Sequence, residues 1–443
     1  MFQQSKLRVR SALALAAATT LALSSCSSGS GSGSGGGGED GDSGPEAFTV
    51  LTPAENAIAR DQLTTLSTGA CSAANEALPL QNDTVAQADV VQRITLLASQ
   101  DALPVHFVAG TAQVKPDGDL GASGAVLDYE QTLKDLGVWD DVLPAAASTI
   151  KSVYGGMVSL PYQYNVEGVW YNKKLFADNG ITPPATWDEL KAAAAKLDAA
   201  GVVPITEAGS QGWPITRLIG MHIFRDVGPD AMEAVRDGKA KLTDPDYVAG
   251  AQAVADLSAA GYFGEGITSR DTDTANAQFL NGQAGMYYNG SWFLANLNDP
   301  AQNKIGVENV GFMPFPAVSG GEGTVDQWPA NAGAATATSA EQYSPEVGDW
   351  LSCIAENYGS TALADQGVIS GFAVKEPVAD VPPLTGELQG IVAEADETVL
   401  WFEALMDAKT TSDAQTNVAN LLTGQLSAQD YMAMLQKDLD AAG

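Results

Sequence analysis

Histidine, cysteine and positive charge are scarce in this chain of 443 residues, which holds 2 His, 3 Cys and 22 Lys and Arg against 54 Asp and Glu. Neither His106 nor His222 stands in a metal-ligand spacing such as HExxH, which argues against a histidine-rich zinc site. No metal and no cofactor is expected. His106 sits inside the apolar "LPVHFVAG" and reads as a packed strand residue. A phosphate-cradling glycine loop between a strand and a helix is also missing, since the glycines of 28–44 lie outside such a context, and this weighs against a nucleotide enzyme. The formal net charge of −32 argues against nucleic acid, anionic lipid headgroups and phosphorylated ligands, and favours neutral or cationic partners.

Outside the N-terminus there is no long apolar run. There, Lys6, Arg8 and Arg10 precede "ALALAAATTLALSS", too short for a stable membrane span but suited to a secretory segment. It closes in "LSSC", Leu23 to Cys26, which resembles the bacterial lipobox, whose cysteine is diacylated after cleavage. Residues 1–25 are therefore expected to be a lipoprotein signal peptide, Cys26 the lipidation site, and 26–47, rich in Gly and Ser, a flexible tether. Cys71 and Cys353 remain, and an even remainder in an exported chain suggests a disulfide.

The rest alternates strand and helix patterns, which argues for an α/β fold. "AFTVLT" and "LPVHFVAG" read as strands, and "VVQRITLLASQ" as a helix. In "PPATWDELKAAAAKLDAAG", Thr186 and Glu189 make a capping box and Gly201 closes the helix. Ser427 with Asp430 marks the start of the last helix. The stretch "LPYQYNVEGVWYNKKLF", residues 160–176, reads as a strand with one carboxylate, Glu167, at its middle. Alternation puts Gln163, Asn165 and Glu167 on one side of it.

Aromatic residues accompany the strand ends, among them Tyr162, Tyr164, Trp213, Tyr287, Tyr288, Trp292, Trp328 and Trp401. A flat ring matches the C–H face of a pyranose, and neighbouring amides and carboxylates match its hydroxyls, although core packing explains any one ring equally well. A surface glycoside hydrolase stays open as an alternative, because two suitably spaced carboxylates are all it needs.

Residues 156–205, with "LPY", "YNKKLF", "PPATWDEL" and "KL" in order, resemble the extracellular solute-binding proteins of carbohydrate ABC transporters, the group that includes maltose-binding protein. The likeness extends to "FLNGQAGMYYNGSW", residues 279–292, and to "LLTGQLSAQDYMAMLQKDLD" near the end. It implies a two-lobed α/β fold of the periplasmic-binding-protein kind, type II-like, with a hinge of strands crossing near 165–170, 332–338 and 376–384. Lobe 1 would comprise 48–166 plus 335–378, and lobe 2 would comprise 167–334 plus 379–443.

The same resemblance implies a non-enzymatic, monomeric, lipid-anchored receptor on the extracellular face, which captures a mono- or oligosaccharide and hands it to a permease. Trp292, Trp401 and Trp213 stand where the family places sugar-stacking aromatics. Glu167 matches a position whose carboxylate bonds sugar hydroxyls, with Gln163 and Asn165 beside it. Glu55 and Asn56 in "TPAENA" match polar first-lobe contacts. The chain departs from the family after "LPVHFVAG", offering Thr111 and Gln113 where an acid is common. A non-sugar solute is the other alternative, with Arg217 and Arg225 the nearest arginines to the motifs. On this reading Glu167→Ala weakens binding far more than it lowers stability.

Overall fold

The computed structural model describes residues 44–394 and 398–442, so the signal segment, Cys26 and all but the end of the tether lie outside the described residues. The described strands are β1 Phe48–Pro53, β2 Leu80–Val85, β3 His106–Ala109, β4 Asn165–Asn172, β5 Val203–Thr206, β6 Ala284–Gly290, β7 Val310–Met313, β8 Trp328–Asn331, β9 Ala335–Thr338 and β10 Thr398–Val399. They form two sheets, each packed against helices.

In the first sheet the order is β2-β1-β3-β9, with β1 parallel to both neighbours and β9 antiparallel to β3. Its core gathers Phe48, Leu63, Phe107, Ile150, Ala337 and Trp350. His106 is buried in β3, with Nδ1 2.9 Å from Thr338 Oγ1 and Nε2 2.9 Å from Tyr162 Oη. Burial pushes its pKa down to about 3, so the ring stays neutral at physiological pH.

The second sheet runs β10-β8-β4-β6-β5, with β7 also antiparallel to β4. Both of its faces are covered, which explains why β4 reads as a continuous bulky run. Alternation sorts the strand's residues: Val169 packs with Met286, Tyr288 and Met313 on one face, and Val166 and Trp170 pack with Tyr287 and Phe312 on the other. The chain leaves the first core after Tyr164, and returns between Asn331 at the end of β8 and Ala335 at the start of β9. Gln163, Asn165 and Glu167 lie at the first of these passages.

The reading of 160–176 as one strand needs correction. Only Asn165–Asn172 is strand; Asn172 then accepts the Leu175 N–H at 3.0 Å and opens the helix Lys173–Asp178. A short polar side chain that satisfies an orphan helix donor outweighs the local strand pattern. Elsewhere the capping signals are realised, Thr186 with Glu189 opening the helix Trp187–Ala199 and Ser427 accepting the Asp430 N–H at 3.1 Å.

Cys71 is bonded to Cys353, joining the start of the helix Ser72–Ala77 to the helix Pro345–Gln366 across a sequence separation of 282. A link closing so long a loop restricts the unfolded chain strongly, by about 5–6 kcal/mol in the chain-entropy account. Cys71→Ala combined with Cys353→Ala should therefore lower Tm by several degrees in calorimetry, and dithiothreitol should lower the parent's Tm without affecting the double variant.

Candidate functional site

Glu167 is 1% exposed. It points from the same face of β4 as Val169, and the β4–β6 register places Tyr288 diagonally across from it. Tyr288 Oη donates to Glu167 Oε2 at 3.0 Å, and Asn331 Nδ2 donates to Oε1 at 2.9 Å. Arg217 Nη1 also donates to Oε1 and forms an ion pair with it. Both oxygens are thus engaged from three separate segments. Burial, reinforced by the Glu167 charge, holds the Tyr288 phenol well above its usual pKa, so it remains a donor.

Arg217 lies one turn into the helix Trp213–Asp226, four residues after Trp213 and so on the same helix side. Its guanidinium carbon is 5.7 Å from the Trp213 ring centre and 4.8 Å from that of Trp401, within cation–π range of both. Trp213 meets Trp292 edge to face at 5.9 Å. All three tryptophans are half-buried; Trp213 and Trp401 face the Arg217 cation, and Trp292 joins them through Trp213.

Close approach of backbones sets these rings. A Cβ at Gly290 would fall 2.0 Å from the Trp292 ring, so Trp292 can lie over the end of β6 only because residue 290 is glycine. Gly212, at φ +72°, precedes Trp213 where a Cβ would fall 2.0 Å from the Gln415 carbonyl. The helix Trp213–Asp226 is thereby seated against the helix Ala408–Leu422.

Trp401 follows β10 and is itself followed by Phe402, which is fully buried, and by Glu403, 3% exposed. Thr216 donates to Glu403 Oε1, and Gln415 Nε2 approaches the same oxygen at 3.4 Å. Burial raises the Glu403 pKa, against the opposing pull of Arg217. From the side of the first sheet, Lys115 Nζ donates to the carbonyls of Ala404 at 2.7 Å and Met406 at 3.4 Å. Tyr154, also from that side, bonds Thr111 and senses Arg217; burial pushes its pKa up to about 12.

The remaining predicted residues divide. Asn165 bridges Gln163 Oε1 at 3.2 Å, Asn331 Oδ1 at 3.2 Å and Ser291 Oγ at 3.1 Å, tying the strand passages beside Glu167. Gln113 is buried and braces its own loop, accepting from Gly110 N at 2.9 Å and donating to Thr95 Oγ1 at 3.0 Å. Glu55 accepts from Gln87 N at 2.9 Å, and its charge is felt by Asp273. Asn56 is half-buried in the same turn. Arg217 appeared in the sequence reading only as a nearby arginine, and Lys115, Tyr154 and Glu403 were not singled out. The four-residue spacing of Trp213 and Arg217 was the available signal for the first; Glu403, two residues past Trp401, carried none beyond proximity.

This architecture, two α/β sheet layers with the chain passing between them beside a cluster of rings, defines a two-lobed binding fold. The profile of the family described as bacterial extracellular solute-binding protein matches residues 82–356, and the chain belongs to that family. Family membership sets aside the hydrolase alternative. The sn-glycerol-3-phosphate-binding periplasmic protein UgpB of Yersinia pestis is 30% identical over 211 residues, 44% of this chain and 45% of that one. A probable sugar-binding periplasmic protein of Mesorhizobium japonicum is 29% identical over 177 residues, 39% and 42% of the two chains. The matched stretches thus span under half the length of these curated relatives. Among solved structures, a chitin oligosaccharide binding protein superposes with a TM-score of 0.78 at 27% identity, covering 90% of this chain and 99% of that one. Maltose-bound MalE3 of T. maritima gives 0.73 at 18% identity, covering 90% and 100%, and so shares the fold.

The bonding of Glu167 changes the expected effect of its replacement. Glu167→Ala strands a part-buried guanidinium, a buried phenol and a buried amide, so it should cost about 3 kcal/mol of unfolding free energy, read by urea denaturation. Stability, and not binding alone, is expected to fall.

Proposed function

We propose that this protein is the lipid-anchored, extracellular substrate-binding component of an ABC importer, capturing a mono- or oligosaccharide between its lobes and delivering it to the permease. The observation that carries this reading is the cluster in which Trp213 and Trp401 face Arg217, itself paired with Glu167, and Trp292 packs on Trp213, beside the strand passages. Half-buried rings offer apolar faces to a pyranose, and the charged groups between them supply oriented polar contacts.

The lobes are taken as 48–166 plus 335–378 and 167–334 plus 379–443, with Cys26 as the anchor. Ligand contacting both lobes favours their closed arrangement, and the permease reads that closure. Glu167 acts on the ligand by holding Arg217 and Tyr288; Gln163 and Asn165 support it, and Glu55 and Asn56 face the cleft from the first lobe. Micromolar affinity, about −8 kcal/mol, is within reach of stacked rings and a few hydrogen bonds. A second reading, a non-sugar solute, draws on Arg217 at the site and on the relative named for sn-glycerol 3-phosphate.

A thermal-shift screen of neutral mono- and oligosaccharides should raise Tm by several degrees for at least one, by mass action on the native state. No shift with any of them would sink the carbohydrate reading. For a sugar that does bind, Trp292→Ala should weaken calorimetric affinity by about tenfold or more, equivalent to about 1.4 kcal/mol, in addition to a modest fall in Tm of the free protein from the lost packing on Trp213.

A further inference from the structure

Three buried polar atoms at one centre have no protein partner: Arg217 Nε, Trp213 Nε1 and Glu403 Oε2. Two are donors and one is an acceptor, or a donor if protonated. Unpaired buried polar atoms are costly, and a native structure keeps them where something else completes them. We infer that Glu403 is a specificity-determining residue of this site, its free oxygen taking a hydroxyl of an uncharged sugar ring that also lies against Trp401. This rests on the carbohydrate reading above.

The carboxylate is fixed for such a role. Thr216 and Gln415 hold Oε1, and the buried Phe402 and Ala404 on either side lock the backbone. Phe402 packs where a Cβ on Gly220 would come within 2.7 Å of it, which pins the segment to the helix that carries Trp213 and Arg217. Lys115 grips the following carbonyls from the other side. An oriented acceptor beside an aromatic face is the pair of contacts that a pyranose hydroxyl and its C–H face require.

Charge selects the ligand class. Glu167 already matches the cation of Arg217, and Glu403 adds a second acid within its field. A dianion would face Glu167 and Glu403 in a chain of net charge −32, while Lys115, the other cation on this side, is committed to the Ala404 and Met406 carbonyls. The site therefore rejects sn-glycerol 3-phosphate although a relative is named for it.

The test is calorimetric titration of the full protein with maltose, laminaribiose, stachyose, D-galactose, the chitin disaccharide and sn-glycerol 3-phosphate, repeated on Glu403→Gln. The parent should bind at least one neutral saccharide at least tenfold more tightly than sn-glycerol 3-phosphate. Glu403→Gln should lose about tenfold for that saccharide, while Tm of the free protein stays level or rises, because an amide at this buried position carries no charge to desolvate and keeps an oxygen for Thr216. A merely structural acid would lower Tm and leave affinity intact. Monodeoxy analogues of the bound saccharide supply a reading on the parent alone: one position should lose about tenfold, and that loss should vanish in the variant. If Glu403→Gln does not fold, the deoxy series decides, a flat series overturning the assignment. Unchanged saccharide affinity in Glu403→Gln overturns the role of Glu403 and leaves the carbohydrate reading standing. Preference for sn-glycerol 3-phosphate, or no saccharide binding, overturns both.

Discussion

The ion pair between Arg217 and Glu167 is the constraint around which the site is arranged. Burying a carboxylate to 1% exposure costs free energy that only close, multiple partners offset, and here Arg217, Tyr288 and Asn331 come from a helix, β6 and β8 to meet it. Because Asn331 lies at the end of β8, where the chain returns to the first sheet, the pair ties Arg217 and the rings packed on it to the strand passages themselves. Changes in how the sheets sit are thus felt at the guanidinium.

From that cation the aromatic surface follows. Trp401 and Trp213 pack on Arg217, and Trp292 on Trp213, so three rings from distant segments acquire fixed relative positions without a shared element. These three rings stay half-buried, whereas Trp170, packed on Phe293 and Phe312, and Trp350, stacked on Phe48, are fully buried. Lys115 and Tyr154 bring the first sheet's side into contact with the same region, and a ligand placed there reports to both halves.

Much of the fold was legible because its signals are local. Capping at Thr186 and Ser427, the strand character of "LPVHFVAG" and the bulky β4 run each depend on a few neighbouring residues. The same locality misled at Lys173–Asp178, where one Asn172 side chain ends the strand. The three tryptophans were named from resemblance, but their meeting point was not, since a cation–π centre joins residues 213 and 401 and leaves no periodic trace. Glu167 was read as a ligand contact, and its burial with both oxygens occupied was invisible without Tyr288 and Asn331 in place. Glu403 was missed because an acid inside "LWFEAL" carries no spacing signal.

In the proposed receptor one charged centre, Arg217 with Glu167, organises the ligand site. A crystal structure of the full chain with a bound neutral saccharide tests this directly. The expected result is a sugar ring against Trp292 or Trp401, a hydroxyl within hydrogen-bond distance of Arg217 or Glu403, and the Arg217–Glu167 pair intact. A ligand seated away from these rings, or an Arg217 that abandons Glu167 to bind it, would contradict it.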